Sequence, residues 1–468
     1  MFFREDGLRD LKDISAPGKG RRFGPLPIAL AAVLALAVAG MLLVGFQMAF
    51  APKPVVALGA PFKLVGRNAP LAVEVKDLRY GVKALRVSVE QGDKEHVLLD
   101  EKYDPPKPEV HYRWTPSQDR KFRLAEGEGR LKVKARNASW GGFFRGTVAS
   151  IDQPFTARLV PPRIEVLSTQ HYVNQGGCDM VVYRVSPSTT ESGVVVGTTF
   201  FPGFRFPGAK DAGTRLAIFA IPYDAPPSAQ ARLRARDEAA NEVLANFHLK
   251  VSRKAFRSRS LPIDDAFLEK VVPEILSQSP AIQDQGDIVK NYLAINRDLR
   301  KANNAQLAEM AAKSPPRFLW SLPFQQLGNS KVEASFADRR TYAYKGRDID
   351  RQDHLGYDLA STSNASVSAS NDGVVVLAEF FGIYGNTIVI DHGLGLLSLY
   401  GHLSSFGVIK PGDKVARGQE IGRSGATGLA GGDHLHYSMI LHSVQVDPKE
   451  WWDPHWIKDR ITSKLGQF

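Results

Sequence analysis

Two histidines separated by one leucine, His434 and His436, lie in the stretch GGDHLHYSM. On a β-strand, residues two apart point to the same face and are about 6.6 Å apart along the chain. At that separation one imidazole can bind a metal ion while the other contacts a water on that metal. His-x-His on an exposed strand is also often inert, so the interpretation depends on other residues.

A second group is found in DHLGYD, where His354 and Asp358 are four residues apart. On a flat strand they would be about 13 Å apart, too far to share one ion. We therefore predict a bend at or near Gly356, which glycine permits at low steric cost. With that bend, His354, Asp358 and one histidine of the pair supply two nitrogens and one oxygen. Three protein ligands and one open position are typical of a catalytic zinc site.

A third element is His402, at the end of the apolar stretch SLYGHL. An imidazole is unfavourable there unless a ligand or a hydrogen bond uses it. These five residues would then comprise three metal ligands and two spare imidazoles that do not bind the metal. Zinc lowers the pKa of bound water to about 7, and the spare imidazoles could take its proton and stabilise an oxyanion. These residues therefore predict hydrolysis of an amide.

The elements that position these residues are predicted to be mainly β-strands. Short β-branched runs separated by glycines, such as DGVVVLAEF and GNTIVIDHG, indicate an all-β C-terminal domain over residues 321–468. Residues 51–160 and 161–253 are predicted to form two β-sandwich modules that resemble bacterial immunoglobulin-like modules. Residues 254–320 favour a short helical connector.

Residues 28–50 carry no charged side chain and predict a single transmembrane helix. A helix of this length reaches about 35 Å, whereas a hydrocarbon layer is about 30 Å thick. The segment exceeds the apolar core of a cleaved signal peptide, so we expect a retained anchor. Lys19, Arg21 and Arg22, in the N-terminal tail of residues 1–27, predict a cytoplasmic N-terminus. The bulk of the chain is then periplasmic, anchored in the inner membrane.

The composition limits the classes of binding partner that we expect. The formal net charge is +11 and the pI about 9.5, which suits an anionic membrane or an acidic polymer. No run rich in Arg and Lys is interleaved with aromatic residues, which argues against nucleic acid. The single cysteine, Cys178, excludes an intramolecular disulfide.

The C-terminal domain resembles the lysostaphin-like family of zinc peptidoglycan endopeptidases. The resemblance covers roughly Lys331 to Trp456 and rests on HLGYDLA, GNTIVIDHG, LYGHLS, VIKPGDKVARGQEIGRSGATG and GGDHLHY in this order. It implies a hybrid-barrel peptidase domain that hydrolyses the peptide cross-links of peptidoglycan in cell-wall remodelling. The implied ligands of one Zn²⁺ per chain are His354, Asp358 and His436. The implied catalytic pair is His402 and His434.

One departure and three alternatives remain. The stretch ASFADRR has Ala337 where the family often has glycine, which puts the shape of this loop in doubt. The main alternative is a non-catalytic envelope protein that activates separate cell-wall amidases. Two others are a carrier-like barrel module and a non-haem iron oxygenase, since two histidines and a carboxylate also suit Fe(II). An envelope protein that regulates the enzyme is a further expected partner, of unknown identity.

Overall fold

The computed structural model describes residues 25–59 and 63–466. The basic residues that predict the membrane orientation, Lys19, Arg21 and Arg22, lie outside these residues. The chain divides into two compact units: unit 1 ends at residue 65 and resumes over 69–158, and unit 2 comprises 66–68 and the residues from 159 onwards. This division lies next to the predicted boundary at residues 160 and 161. The finer boundaries at 253/254 and 320/321 stay predictions.

Unit 1 begins with one long apolar helix, α1 (Pro25–Phe50). Within it, Ala29–Phe50 is long and apolar enough to cross a membrane, and none of it is buried inside the protein. Length and composition fit a membrane anchor or a signal sequence.

The rest of unit 1 is β-structure. Its strands are β1 (Val55–Leu58), β2 (Leu64–Val65), β3 (Leu71–Lys76), β4 (Val82–Gln91), β5 (Lys94–Lys107), β6 (Glu109–Trp114), β7 (Gly127–Asn137) and β8 (Val148–Ala157), with a 3₁₀ turn at Pro116–Gln118 and a helical turn α2 (Gly141–Phe144). They form a five-stranded sheet in the order β2-β8-β7-β4-β5 and a three-stranded sheet β1-β3-β6. Strand β7 alternates buried Leu131, Val133 and Ala135 with exposed basic residues, as expected for a sheet with one face on a core.

Unit 2 opens with a second pair of sheets. Its first strands are β9 (Ile164–Val166), β10 (Tyr172–Asn174), β11 (Cys178–Val185), β12 (Thr189–Val196), β13 (Thr199–Pro202), β14 (Phe204–Arg205), β15 (Thr214–Ala220), β16 (Ala231–Asp237), β17 (Glu242–Ala245) and β18 (Lys250–Ser252). Two four-stranded sheets, β14-β15-β11-β9 and β13-β12-β16-β17, enclose a buried core, while β10 and β18 form a parallel pair. A relation of either β-rich region to immunoglobulin-like modules stays a prediction.

The predicted helical connector begins with a strand that the sequence did not predict. This strand, β19 (Ser258–Ile263), precedes α3 (Asp265–Gln278), α4 (Ile288–Ala294), a π-helical turn (Ile295–Leu299) and α5 (Arg300–Ala312). It pairs in parallel with β21 (Asp338–Tyr344) and lies at the edge of a sheet whose third strand is β22 (Arg347–His354), where Pro262 is tolerated.

The C-terminal part of unit 2 contains the remaining elements. They are β20 (Lys331–Ala334), β21 (Asp338–Tyr344), β22 (Arg347–His354), β23 (Tyr357–Ala360), β24 (Ser366–Ser368), β25 (Gly373–Phe380), a 3₁₀ turn (Gly382–Tyr384), β26 (Asn386–Asp391), β27 (Leu396–Leu403), β28 (Ser405–Phe406), β29 (Lys414–Val415), β30 (Glu420–Arg423), β31 (Leu435–Leu441), β32 (Val444–Val446), α6 (Pro448–Trp452), α7 (Pro454–Ile457), a π-helical turn (Lys458–Thr462) and α8 (Ser463–Leu465).

An eight-stranded sheet is the frame of this region. Its order is β20-β23-β31-β27-β26-β25-β29, with β32 on β31, and a small sheet β24-β30-β28 adjoins it. Strands β27 and β31 are buried along their whole length. One apolar cluster joins Leu397, Leu399 and Ile440 of these strands to the helices α3–α5. The helices therefore cover one face of the sheet, and they do not form a free linker.

Candidate metal centre

Neighbouring strands bring the predicted site residues together. Asp358 of β23 lies opposite His436 of β31, and His436 lies opposite Gly401 of β27. His354 ends β22 in a different sheet, so the chain crosses between two sheets at Leu355 and Gly356. The bend therefore lies where the spacing of His354 and Asp358 required it.

Three candidate ligand atoms face one point. His354 Nε2, His436 Nδ1 and Asp358 Oδ1 lie 2.9–3.0 Å from one another. His354 Nδ1 lies 3.1 Å from the carbonyl oxygen of Ser335, which only accepts, so Nδ1 carries the proton and Nε2 a lone pair. Ser438 Oγ donates to a backbone carbonyl and accepts from His436 Nε2, which leaves the lone pair on His436 Nδ1.

This donor set fits a metal ion. Two imidazole lone pairs and a carboxylate oxygen that face one another repel unless a cation lies between them. The N–H groups on the far side of both rings are held by a backbone carbonyl and a hydroxyl, which is how metal-binding histidines are usually oriented. The residues His354, Asp358 and His436 are thus grouped as a candidate metal site.

Gly356 is necessary for this arrangement. A Cβ at position 356 would lie 2.6 Å from Ser438 Oγ and 2.7 Å from His436 Nε2. Such contacts are shorter than any side chain tolerates, so a larger residue would displace the His436 ring or its hydrogen-bond partner. Glycine is required at position 356 because Ser438 and His436 approach the backbone too closely for a larger residue.

An arginine that the sequence analysis missed holds the remaining carboxylate oxygen. Arg340 Nη2 of β21 lies 2.8 Å from Asp358 Oδ2, and both side chains are largely buried. Burial opposes ionisation of Asp358, but the hydrogen bond from His434 and the adjacent positive charge hold its pKa well below the usual range. The carboxylate is therefore ionised, as metal binding requires.

The two other predicted site residues, His402 and His434, lie beside this candidate ligand group. The ring centroids of His402 and His434 are 4.9 Å apart, and His402 is 5.7 Å from His436. His402 Nδ1 donates to the carbonyl of Thr427, which leaves His402 Nε2 free for chemistry. His434 Nδ1 donates to the carbonyl of Gly432, and His434 Nε2 lies 3.5 Å from Asp358 Oδ1. His402 has a left-handed backbone, φ 61°, which a non-glycine residue rarely adopts outside functional sites.

The environments of these two histidines differ. Burial and the charges of the neighbouring histidines hold the pKa of His402 well below its usual range. Burial also opposes the charge on His434, but the hydrogen bond and the charge of Asp358 raise its pKa above the usual value. A pair whose pKa values are pushed apart is suited to separate base and acid roles.

All five residues line one cleft with a volume of about 430 Å³. Further walls come from β19, α3 and the helices that follow, through Leu261, Ile263, Phe267, Tyr292 and Arg300. The π-helical turn contributes Asn296, whose side-chain oxygen accepts from Arg300 Nη2 at 2.5 Å. No carboxylate among the described residues pairs with Arg300, so its charge remains available to a ligand in the cleft.

The loop that the sequence put in doubt keeps a glycine-like shape. Ala337 has φ 59°, and its N–H donates to the carbonyl of His354 at 2.6 Å. The left-handed backbone that explains a glycine at this point is therefore present with alanine. The departure leaves the position of His354 intact.

Comparison with known proteins agrees with this geometry. The family model for Peptidase family M23 matches residues 352–448, a range that contains all five predicted site residues. This stretch is an M23 peptidase domain. The M23 domain accounts for about a fifth of the chain, and the walls contributed by β19 and α3–α5 lie outside the matched range.

Two curated relatives and one solved structure illustrate the similarity. The chain is 31% identical over 179 residues to peptidoglycan DD-endopeptidase ShyA of Vibrio cholerae, and the match covers 38% of each chain. It is 39% identical over 95 residues to DD-carboxypeptidase/endopeptidase Mpg of Neisseria meningitidis, over 20% of this chain and 22% of Mpg. The catalytic domain of lysostaphin from Staphylococcus simulans is 29% identical, with a TM-score of 0.25, over 28% of this chain and 98% of that domain. The chain thus spans less than two-fifths of the length of these two curated relatives.

Proposed function

We propose that this protein is a zinc-dependent endopeptidase that hydrolyses the peptide cross-links of peptidoglycan in cell-wall remodelling. The observation that carries the proposal is the convergence of two imidazole lone pairs and Asp358 Oδ1 within 3.0 Å, beside two further histidines. His354, Asp358 and His436 would hold the ion. The similarity to ShyA, named a peptidoglycan DD-endopeptidase, supports the choice of substrate.

The roles of the chain's residues follow from their hydrogen bonds and from the direction in which each pKa is shifted. A bound zinc ion supplies Lewis acidity and lowers the pKa of water in its open position. His402 Nε2, on a ring held neutral by burial, accepts the proton of the attacking water. His434 Nε2 donates a hydrogen bond to the oxyanion that develops on the substrate carbonyl. The released proton then passes to the leaving amine.

The cleft suits an anionic peptide. Peptide stems of peptidoglycan carry free carboxylates, and Arg300 presents a guanidinium to the cleft with no carboxylate partner among the described residues. An unpaired guanidinium in a half-buried wall binds a carboxylate with two parallel hydrogen bonds. Apolar side chains such as Leu261, Phe267 and Ile383 then contact the rest of the stem.

The enzyme would act at the membrane surface. Helix α1 has the length and composition of a single span, and the basic tail before it supports a cytoplasmic N-terminus. Unit 2 would then face the periplasm, where its polymeric substrate is found.

Digestion of purified sacculi tests the proposal. The full chain, loaded with zinc in detergent, should convert cross-linked muropeptides to monomers, and His436→Ala should abolish this conversion. His455→Ala, at an exposed side chain outside the cleft, is the matched control and should leave it unchanged. Unchanged cross-linking with metal-loaded wild-type protein would contradict the proposed enzyme activity. It would favour the alternative, a non-catalytic envelope protein that activates separate cell-wall amidases.

A further inference from the structure

Two loops of unit 1 contact the C-terminal end of α1 and the residues that follow it. Asn137 Nδ2 and Thr147 Oγ1 both donate to the carbonyl of Pro52, at 2.9 and 2.7 Å. Tyr80 Oη donates to Gln47 Oε1 in the last turns of the helix, at 2.7 Å. The loops, residues 77–81 and 138–147, are called the apex below. They are joined to each other, because Ala138 N donates to the carbonyl of Gly81 at 3.1 Å.

The apex exposes large apolar side chains. Leu78 and Phe143 are each 84% exposed, Phe144 is 61% exposed and Trp140 49%. In the described part of unit 1 beyond α1, these three rings are the strongly exposed aromatic side chains. A cluster of this kind on an otherwise soluble surface marks contact with an apolar phase or a partner.

The backbone of the apex indicates that folding alone does not account for these side chains. Gly142, Phe143 and Phe144 are consecutive left-handed residues, with φ of 58°, 57° and 64°. Glycine and asparagine adopt this conformation most readily, whereas aromatic residues rarely do. The turn nevertheless presents both phenylalanines outward, and Phe144 meets the ring of the exposed Trp140 at a centroid distance of 6.2 Å.

The position of the apex along α1 indicates which apolar phase or partner its exposed side chains contact. The 26 residues of α1 reach about 39 Å, longer than the roughly 30 Å of hydrocarbon, so its last turns lie in the interfacial layer. The apex contacts the helix and its extension at residues 47–52, which is the same depth. Aromatic side chains concentrate in that layer, and the exposed Arg79 and Arg145 are placed to reach lipid phosphates.

We propose that the apex inserts Leu78, Trp140, Phe143 and Phe144 into the interfacial layer of the same bilayer that α1 crosses. Unit 1 is thereby held against the membrane surface in one orientation, instead of swinging on its anchor. The proposal rests on α1 being embedded in a bilayer, which is part of the proposed function. It does not depend on the metal centre.

Nitroxide labelling of the full chain in lipid nanodiscs tests the insertion. Phe143→Cys and Phe144→Cys each receive the label at an exposed position, and the native Cys178 is buried and does not compete. The matched control is Lys94→Cys, exposed at the start of β5 just after the turn that follows β4, about 30 Å along β4 from the apex. Leu36→Cys, in the middle of α1, reports on the anchor itself.

Collision with oxygen relative to an aqueous nickel chelate measures depth. We expect the oxygen-to-nickel ratio at 143 and 144 to exceed that at 94 several-fold, with the highest ratio at 36. A ratio at 143 and 144 equal to that at 94, with position 36 in lipid, would overturn the insertion and leave the anchor standing. Aqueous values at all positions would overturn both.

Discussion

Arg340 Nη2 lies 2.8 Å from Asp358 Oδ2, whereas Asp358 Oδ1 faces His354 and His436. Each oxygen of one carboxylate thus has a separate task, and the arginine fixes the side chain so that Oδ1 points to the ligand group. Loss of a group that orients a ligand typically lowers metal affinity about 10–100-fold. We therefore expect Arg340→Ala to lower zinc affinity by this amount, as measured by competition with a fluorescent chelator.

The neighbouring Arg339→Ala is the matched control. Arg339 is exposed and its side chain lies on the other face of β21. The zinc affinity of Arg339→Ala should stay within about two-fold of wild type, since Arg339 does not contact a candidate metal ligand. Equal affinities for Arg340→Ala and wild type would show that Asp358 needs no orienting partner.

The two histidines beside the ligands should affect rate and leave metal content unchanged. Nδ1 of both His402 and His434 is held by a backbone carbonyl, and neither residue belongs to the candidate ligand group. General acid–base groups typically contribute about 10²–10⁴-fold to rate. We expect His402→Ala and His434→Ala to retain one zinc per chain by elemental analysis while cleavage of muropeptide dimers slows by this factor.

His436→Ala is the contrasting variant, because it should lose both zinc and activity. A zinc content that fell in His402→Ala as far as in His436→Ala would assign His402 to the metal. The division of the five residues into ligands and catalytic groups would then be wrong.

Much of the site could be predicted because its residues carry strong local signals. His434 and His436 alternate on a strand, and His354 and Asp358 flank a glycine, so spacing alone required a bend. The structure brings all five predicted residues into one cleft. The mainly β architecture was predicted from the same source, since short β-branched runs between glycines have few other interpretations.

The remaining parts depend on contacts between distant segments. Arg340 is one of two arginines in ASFADRR, and only the register that pairs Asp338 with His354 turns it toward Asp358. Arg300 lies in a helix whose sequence resembles a solvated face, and its position in the cleft depends on how α3–α5 pack on the sheet. A single sequence contains no local pattern for such tertiary contacts, and the same holds for strand β19.

A glycine-to-alanine change tests the close approach at position 356. The added methyl group of Gly356→Ala would lie 2.6–2.7 Å from Ser438 Oγ and His436 Nε2, so the His436 ring must move. We expect zinc affinity to fall at least ten-fold and thermal stability to fall as well, by roughly 1–3 kcal/mol for an overpacked site. Gly328→Ala is the control, because a methyl group there meets open space. Equal zinc affinities in the two variants would contradict the packing argument.

The guanidinium in the cleft wall should affect binding of the substrate more than turnover. Arg300 hydrogen bonds to Asn296 and pairs with no carboxylate among the described residues. Loss of a charge-assisted pair of hydrogen bonds removes about 1.5–3 kcal/mol, so we expect Arg300→Gln to raise KM about ten-fold or more with kcat nearly unchanged. The effect should disappear on a substrate whose stem carboxylates are amidated.

Lys301→Gln removes the same charge from the next, exposed residue and is the control for long-range electrostatics. An equal rise in KM for both variants would indicate general attraction of an acidic polymer by the basic chain. A specific carboxylate site at Arg300 would then be excluded.

A buried carboxyl group that does not line the cleft should make the stability of unit 2 depend on pH. Burial raises the pKa of Glu450 to about 7, although its oxygens accept hydrogen bonds from Cys178 N at 2.7 Å and Asn174 Nδ2 at 3.0 Å. The folded state therefore keeps a proton that the unfolded state has released above its ordinary pKa of 4.5. Stability falls as the pH rises from about 4.5 to 7 and levels off above that, by up to about 3 kcal/mol.

Glu450→Gln removes this titration. Thermal unfolding of the full chain in detergent should show that the variant gains stability relative to wild type as the pH rises from 5 to 8. Glu242→Gln, at an exposed strand residue of the same unit, should follow the wild-type profile. The sign of this change in stability follows from the direction of the pKa shift. A carboxyl group whose pKa is raised in the folded state destabilises the fold only at pH values where the same group is ionised in the unfolded state. A Glu450→Gln variant that lost stability relative to wild type on raising the pH would show that the carboxylate is stabilised in the fold, in contradiction to its burial.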